Sequence, residues 1–236
     1  MRSANWCRDT RSLFRGRDAA CGPRSAGDAA ADAFRPRCGI GRQSCPGRLG
    51  RIGQPGVRFT RLAAVRAGAA MINDVNALRS EGALPAAARL GVPVCLMHMQ
   101  GEPRTMQEKP HYDDVVAEVA AFLESRIAAC VAAGIREDLI VVDPGFGFGK
   151  TVEHNLSLLR HLDRLVALGY PVLVGLSRKS LIGKVLGLPV DKRLYPSIAL
   201  AVLAVWQGAS IVRCHDVRQT REAVQMCKAV QAVDYH

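Results

Sequence analysis

Residues 139–150 read LIVVDPGFGFGK, and they place a short apolar run directly before a turn with three glycines. The run has the length and the continuous hydrophobicity of a strand that is buried on both faces. Beyond the glycines, leucines recur at helical spacing from Leu156 to Leu165, which predicts a helix over 154–168 that closes at Gly169. A buried strand, a turn and a helix form one unit of a parallel sheet covered by helices.

The same unit recurs in both directions along the chain. Apolar runs centred near residues 72, 95, 141, 173 and 212 predict five strands, and the segments between them have helical patterns. The predicted strands cover 69–75, 92–99, 139–143, 170–176 and 210–214, and the predicted helices cover 61–68, 83–90, 113–133, 154–168, 197–208 and 220–233. This alternation predicts an α/β fold, either an open doubly wound sheet or a TIM-type β/α barrel.

Polar side chains gather where the predicted strands end, and this favours the barrel. They are Asn73, Asp74, His98, Asp143, Ser177, Lys179, Arg213 and His215. Polar groups at the carboxyl ends of parallel strands are typical of the active face of a β/α barrel. A complete barrel has eight units in about 250 residues, whereas five units are recognisable here. We therefore expect an incomplete TIM-type barrel.

Composition divides the chain into two parts. Residues 1–60 contain 12 Arg, 4 Asp, no Lys and no Glu, and they carry +8 of the formal net charge of +11. They show no helical or strand period, so they bury too little apolar surface to offset the entropy of ordering. We predict a disordered or non-native leader over 1–60, produced by out-of-frame translation or a misjoined gene start, and a partial β/α barrel over 61–236.

The composition also excludes several classes of protein. The part after residue 60 is nearly neutral, so we expect no specific nucleic-acid partner, and the Arg-rich leader would bind polyanions only non-specifically. No run of 18 apolar residues and no signal-peptide pattern occurs, so we expect neither a membrane segment nor secretion. The eight cysteines form no CxxC pair and no zinc spacing, which indicates reduced thiols in a cytoplasmic protein.

The turn at 143–150 is the first candidate for chemistry. Asp143 can accept two hydrogen bonds from an amidine-like edge, the glycines let the backbone approach a flat ligand, and Phe146 and Phe148 can cover it. A helix-capping loop is the simpler alternative. A phosphate-binding P-loop is disfavoured, because residues 149–151 match the end of that motif but Pro144 stands where its first glycine belongs.

Three further groups stand at strand ends. Residues 177–180 (SRKS) place two cations where an anionic or carbonyl-bearing ligand can bind, although a solvated turn fits equally well. Arg213 and His215 are two residues apart on a strand, so they point the same way and suit a phosphate leaving group, with a surface salt bridge as the alternative. Asn73 offers a donor and an acceptor to a heterocycle edge, with turn capping as the alternative.

Together, five segments resemble the successive C-terminal motifs of dihydropteroate synthases, over residues 62–233. They are MINDVNALR from residue 71, PVCLMHMQGEPRTMQ from 93, VVDPGFGFGKTVEHNLSLL from 141, VLVGLSRKSLIG from 172 and IVRCHDV from 211. The resemblance implies an eight-stranded β/α barrel that condenses 6-hydroxymethyl-7,8-dihydropterin pyrophosphate with p-aminobenzoate. The products are dihydropteroate and pyrophosphate, and Mg²⁺ assists. Since the family is commonly dimeric, the resemblance is also compatible with a homodimer.

The resemblance assigns pterin-binding roles residue by residue. It implies that Asn73 and Asp143 hold the hydrogen-bonding edge of the pterin. It implies that Met97 and Gly175 line the pterin slot and that Lys179 contacts the ring.

The resemblance also assigns the second substrate and the leaving group. Ser180 and Phe148 would border the p-aminobenzoate pocket, and Arg213 and His215 would bind the pyrophosphate. The residues expected to carry the chemistry are Asp143, Lys179, Arg213 and His215.

The chain departs from the family in residues 1–61, where the motifs of the first three barrel strands do not occur. They include the family's Mg²⁺-side Asn, so the metal ligands are unknown. An incomplete barrel exposes two sheet edges, and we expect weak stability or self-association and little synthase activity. The alternatives are another pterin-binding barrel, such as a methyltetrahydrofolate:corrinoid methyltransferase, and an inactive remnant or a pterin-binding module without turnover.

Overall fold

The computed structural model describes residues 57–101, 106 and 110–233, and for 57–60 it describes the backbone alone. Within this part of the chain, short parallel strands alternate with helices. The strands are β1 (Ile72–Asp74), β2 (Val94–Met97), β3 (Ile140–Asp143), β4 (Leu173–Val174) and β5 (Ile211–Val212). Each lies inside one of the five predicted runs, so the predicted α/β alternation is confirmed. The predictions for residues 1–56 of the leader lie outside the described residues.

Helices follow the strands and cover one face of the sheet. They are α1 (Val57–Arg66), α2 (Ala83–Leu90), α3 (Val115–Ala132), α4 (Val152–Arg160), α5 (Leu162–Val166), α6 (Ser180–Leu186), α7 (Leu194–Trp206) and α8 (Val217–Gln231), with 3-10 turns at Glu137–Leu139 and Val190–Lys192. In the described part of the chain, none of these helices is both long and apolar enough to cross a membrane.

Three details of the helices differ from the sequence-based predictions. The helix predicted over 154–168 is two helices, because the backbone at His161 (φ −113°, ψ 32°) leaves the helical region between α4 and α5. Helix α6 was not predicted, since its seven residues are too few to show a period. Helix α1 begins at Val57, inside the range 1–60 that composition assigns to the leader.

The five strands lie side by side in chain order. β1, β2 and β3 form one parallel sheet, and β4 pairs in parallel with β5. A parallel bridge between Val142 and Val172 links the two sheets, and the N–H of Val142 donates to the carbonyl of Pro171 at 3.0 Å. Neighbouring parallel strands in chain order are what a β/α barrel requires. Within the described residues, β1 and β5 each pair on one side only, so the structure describes five strands of an open barrel.

Alternate residues of each strand face two different environments. One face packs against the helices in the main apolar core, with Ile72, Val94, Ile140 and Val174 as its strand members. The opposite face, which we call the inner face, carries a second and smaller cluster. Its members are the buried Cys95, Val141 and Leu173, with the partly buried Met71 and Ile211 packed against them.

Candidate functional site

The inner face ends in a row of predicted site residues. Each follows a member of the small apolar cluster by two residues, so it lies on the same face at the carboxyl end of its strand. We call this row the strand-end site, and it consists of Asn73, Met97, Asp143, Gly175 and Arg213. Sequence reasoning had selected all five, and the structure places them on one face.

Asp143 and Arg213 form an ion pair at the centre of the strand-end site. Nη2 of Arg213 lies 3.2 Å from Oδ2 of Asp143, whose side chain is 1% exposed. The other carboxylate oxygen accepts a hydrogen bond from the N–H of Gly145 at 2.8 Å. Nη1 of Arg213 lies 3.5 Å from Oδ1 of Asn73, at the outer limit of a hydrogen bond. The guanidinium therefore connects the ends of β1, β3 and β5.

Gly175 lets the Arg213 side chain cross the end of β4. A β-carbon on Gly175 would lie 2.6 Å from Nη2 of Arg213, which is closer than real contacts allow. The absence of a side chain at Gly175 therefore permits this position of the guanidinium, which would have to move if a β-carbon were present. The resemblance implies that this position lines a ligand slot, and the structure shows that it also makes room for the cation.

Asp74, the neighbour of Asn73, serves the opposite face of β1. It is buried and forms an ion pair with Arg61 of α1. Its two oxygens also accept the N–H groups of Asn76 (2.9 Å) and Leu78 (3.2 Å), so it organises the turn after the strand. Of the polar pair at the end of β1, the structure brings Asn73 to the site and gives Asp74 a role in folding.

The glycine loop, which we define as residues 145–149, meets the SRKS turn through Lys179. The carbonyl of Phe146 accepts a hydrogen bond from Nζ of Lys179. The same ammonium lies 4.6 Å from the centroid of the Phe148 ring, within cation–π range. Its stem packs over Gly147, where a β-carbon would lie 3.3 Å from Cδ of Lys179.

Burial lowers the pKa of Lys179 to about 8. The Asp143 carboxylate opposes this shift, and the Arg213 guanidinium adds to it. Lys179 is thus mainly cationic at neutral pH and loses its charge within the mildly alkaline range. A cation held beside an aromatic ring can contact a carbonyl-bearing or anionic ligand.

The remaining predicted residues stand around this centre. Nδ1 of His215 lies 3.0 Å from Oγ of Ser177, and the same oxygen accepts the backbone N–H of His215 at 3.2 Å. Arg213 and His215 therefore have different protein partners. Ser180 is the first residue of α6 and is exposed. Met97 is fully buried at the end of β2.

A network that sequence reasoning missed fixes the backbone that carries Lys179. Arg178 has a left-handed backbone (φ 56°) and forms two hydrogen bonds with the Asp216 carboxylate, at 3.0 Å and 2.5 Å. Its N–H donates to Oγ of Ser197 at 2.9 Å. Nη1 of Arg193 donates to the carbonyls of Arg178 and Lys179 at 3.1 Å and 3.2 Å. These contacts join segments that are distant in the sequence, so no local sequence pattern predicts them.

Lys150 points into the protein and not toward a ligand. Its side chain is 3% exposed, and Nζ donates to the carbonyls of Gly145 (3.1 Å) and Phe148 (3.0 Å). Nζ also lies 2.9 Å from Nδ1 of His98. A P-loop lysine must reach a phosphate, so the structure agrees with the rejection of that motif.

The helix-capping alternative for residues 143–150 is also realised. Oγ1 of Thr151 accepts the N–H of His154 at 3.2 Å, which caps α4. Asn155, one turn into the helix, accepts the N–H of Gly147 through Oδ1 at 2.7 Å. The segment therefore leads into a helix that the next residue, Thr151, caps, and it borders the strand-end site.

The described donor groups do not by themselves fit a magnesium ion. Within residues 57–101, 106 and 110–233, no group of three or more His, Cys, Asp or Glu side chains converges on one point. Both oxygens of Asp143 already have protein donors. Magnesium is typically held by one or two carboxylates together with substrate phosphates. We therefore assign Mg²⁺ no step in the reaction.

Comparisons with known proteins agree with the geometry. A family model described as pterin binding enzyme matches residues 60–215. A dihydropteroate synthase of Haemophilus influenzae is 50% identical over 166 residues, which cover 70% of this chain and 60% of that protein. The Escherichia coli K12 dihydropteroate synthase is 52% identical over 164 residues, covering 70% of this chain and 58% of that protein. The chain thus spans about three-fifths of the length of these relatives.

Solved structures give the same result for the fold. The crystal structure of dihydropteroate synthase from Stenotrophomonas maltophilia with active site-bound imidazole superposes with a TM-score of 0.73 at 51% identity, over 75% of this chain and 68% of that chain. The Xanthomonas albilineans enzyme in complex with 7,8-dihydropteroate superposes with a TM-score of 0.70 at 51% identity, over 75% of this chain and 65% of that chain. The TIM-type fold class predicted from sequence is therefore confirmed, without closure of the barrel.

Proposed function

Because this chain belongs to the pterin-binding enzyme family, we propose that its strand-end site serves the reaction of dihydropteroate synthase. In that reaction, 6-hydroxymethyl-7,8-dihydropterin pyrophosphate condenses with p-aminobenzoate in folate biosynthesis. The observation that carries the proposal is the ion pair between the buried Asp143 carboxylate and the partly exposed Arg213, with Lys179 and Asn73 beside it at the strand-end site. Because the chain spans about three-fifths of its relatives, the activity and the substrates are proposals.

The pterin side of the site is assigned to the inner face. Asp143 and Asn73 present oxygen and amide groups that suit the polar edge of a pterin. Gly175 and Met97 line a slot for a flat ring, since one has no side chain and the other is an adaptable thioether. Lys179 contacts the ring from the adjacent turn. Its pKa is about 8, so it is mainly charged at pH values below 8.

The other two subsites are assigned to the surrounding loops. Phe148 and Ser180 border p-aminobenzoate, since they lie in the two segments that Lys179 joins. Arg213 and His215 bind the pyrophosphate, because a guanidinium and an imidazole suit a phosphate oxygen. Arg213 is partly exposed, so a ligand can reach it while it keeps its contact with Asp143.

The proposed mechanism uses charge stabilisation and no covalent enzyme intermediate. The C–O bond between the pterin methylene and pyrophosphate breaks, and the electron pair leaves with the pyrophosphate. Arg213 and His215 stabilise that negative charge, while the Asp143 carboxylate steadies the cationic pterin. The arylamine nitrogen of p-aminobenzoate then forms the C–N bond and releases a proton to solvent. Magnesium would neutralise pyrophosphate charge, and it stays a prediction of the resemblance.

We further propose how this chain behaves as it stands. With two sheet edges unpaired in the described residues, we expect weak stability or self-association and little or no synthase activity. A cytoplasmic location stays a prediction that is based on the reduced thiols, which include the free Cys95, Cys130, Cys214 and Cys227. A homodimer stays a prediction that is based on the resemblance.

Calorimetry with 6-hydroxymethyl-7,8-dihydropterin pyrophosphate tests the proposal, followed by detection of dihydropteroate after p-aminobenzoate is added. We expect binding by the wild type, and its loss in Arg213→Ala. Arg218→Ala is the matched control, because Arg218 is exposed and pairs with Glu222 on the surface of α8. A folded wild-type chain that gives no binding heat contradicts the proposal and leaves the inactive remnant.

The same titration separates the alternatives. Binding without product identifies a pterin-binding module. Binding of methyltetrahydrofolate in preference to the pterin pyrophosphate identifies a methyltransferase-type barrel. A turnover rate equal to that of the full-length relatives overturns the expectation of weak activity.

A further inference from the structure

Lys150 occupies a position that the proposed reaction does not use. It follows the glycine loop directly, yet it is 3% exposed and its charge is buried beneath the loop. Burying a lone ammonium is costly unless its three N–H groups have acceptors. Lys150 has three such partners, namely the carbonyls of Gly145 and Phe148 and the imidazole of His98.

His98 is suited to accept the third hydrogen bond. It follows β2, and burial lowers its pKa to about 3, with the charges of Lys150 and Arg79 acting in the same direction. The imidazole is therefore neutral at pH 7, and Nδ1 can accept from the ammonium. The edge of the His98 ring meets Phe122 of α3 at 4.9 Å between centroids, which fixes its orientation.

The loop above Lys150 is also held by other contacts, because the N–H of Gly147 donates to Oδ1 of Asn155 at 2.7 Å and the hydroxyl of Tyr112 donates to the carbonyl of Gly149 at 2.8 Å. Its three glycines have left-handed backbones, with φ of 69°, 77° and 62° at Gly145, Gly147 and Gly149, and glycine is the most flexible residue when it is not restrained. The loop also lies flat against the chain after β2, since a β-carbon on Gly145 would lie 1.8 Å from the carbonyl oxygen of His98. Nζ of Lys150 donates to the carbonyls of Gly145 and Phe148, which are the first and last residues of the turn at 145–148.

The loop in turn determines where site atoms stand. The N–H of Gly145 holds one oxygen of Asp143 at 2.8 Å. The Phe148 ring lies beneath the Lys179 ammonium. A shift of the loop would therefore move the carboxylate partner and the aromatic wall together.

We propose that Lys150 is a positioning residue, whose buried Nζ pins the glycine loop to the end of β2 and thereby fixes Asp143 and Phe148 for ligand binding. This inference deepens the proposed function and rests on it for the identity of the ligand. Burial lowers the pKa of Lys150 to about 7, with Asp143 opposing and Lys179 adding to the shift, as expected for an enclosed amine.

The test compares Lys150→Met with the wild type by amide hydrogen exchange and by calorimetry with the pterin pyrophosphate. Methionine fills the same space without a donor. We expect exchange of the amides at 145–149 to rise at least tenfold, with exchange in β3 unchanged, and pterin affinity to fall about tenfold or more. Lys184→Met is the control, because Lys184 is exposed on α6 and should change neither quantity.

Two features keep the outcome decisive. If Lys150→Met does not fold, Lys150→Gln is measured against the same expectations, since its amide retains part of the hydrogen bonding. Unchanged loop exchange in a folded variant overturns the inference, as does faster loop exchange with unchanged pterin affinity. A wild type that fails to bind pterin refutes the proposed function. The exchange measurement needs no ligand, so it still tests whether Lys150 anchors the loop.

Discussion

Gly175 and Arg213 stand so close that a β-carbon on the first would lie 2.6 Å from Nη2 of the second. Gly175 follows β4, and the guanidinium passes over it from the end of β5 to reach Asp143, which ends β3. The ion pair therefore depends on a missing side chain in the strand between its two members. This relationship makes the position a direct test of the site.

Gly175→Ala should push the Arg213 guanidinium away from Asp143 and weaken binding of the pterin pyrophosphate. We expect an affinity loss of about tenfold to a hundredfold, equivalent to about 1.4–2.8 kcal/mol. Calorimetry on the single variants and on the double variant with Arg213→Lys forms a cycle. The substitution at Gly175 should cost less when the guanidinium is already gone; full additivity would show that Gly175 acts independently of Arg213.

Asp143→Asn should lower both pterin affinity and stability. The substitution keeps the shape but removes the charge that pairs with Arg213 from a side chain that is 1% exposed, and breaking a buried pair is more costly than breaking a surface pair. Thermal unfolding and calorimetry measure the two effects. Asp138→Asn is the control, because its pair with Arg136 lies on the surface. Equal effects in both variants would contradict the central role of Asp143.

Lys179→Met should remove the alkaline limb of pterin binding. The pKa of Lys179 is lowered to about 8, so the wild type should lose affinity as pH rises through that value. The variant should bind more weakly at pH 7 and show no corresponding loss between pH 7 and 9. Lys192→Met, at an exposed position, should keep the wild-type pH profile. A wild-type affinity that is flat across this range would count against a cationic contact by Lys179.

Lys150 and Lys179 should each add stability as pH rises above neutrality, whereas the buried thiols of Cys95 and Cys130, whose pKa values burial raises, act in the opposite direction at alkaline pH. Lys150 has a pKa of about 7 in the folded chain and an ordinary value of 10.5 when unfolded. Between these values the unfolded chain binds more protons, so the free energy of unfolding increases with pH by at most about 1.4 kcal/mol per pH unit for this group. Lys179 contributes in the same direction between about 8 and 10.5. Urea unfolding at pH 7 and pH 9.5 measures the net change, from which the contribution of Lys150 is obtained by comparison with a variant that lacks the amine.

The comparison with Lys150→Met isolates the contribution of one group to that change. The variant lacks the amine, so its free energy of unfolding should increase less between the two pH values than that of the wild type. An identical increase in both proteins would mean that Lys150 titrates normally in the folded state.

The strand-end site could be predicted because its residues obey a local rule. Five apolar runs mark the strands, and the polar residue after each run falls at the carboxyl end, where a parallel sheet gathers its ligands. Asn73, Asp143 and Arg213 were found in this way, and the structure joins them through one guanidinium. The division of the helix at His161 and the short helix α6 were not predicted, because neither has a proline or a period to announce it.

The supporting contacts escaped prediction for a different reason. Lys150 and His98 are separated by 52 residues, and Arg178 and Asp216 by 38. Each pair exists only because the fold brings two loops together, and a single sequence contains no signal for such a pair. Lys150 was considered only as part of a phosphate-binding motif, since its inward direction depends on tertiary structure.

The division of β1 between two faces has a consequence for how this gene tolerates insertions. Asn73 lies in the strand-end site, whereas Asp74 is held by Arg61 on the helical side. An insertion that shifts the register of this strand by one residue would exchange the faces of the two side chains, because neighbouring strand residues alternate in direction. The guanidinium of Arg61 would then lose its buried acid while the strand-end site gained a second carboxylate, so a single event would disturb a folding contact and the strand-end site together.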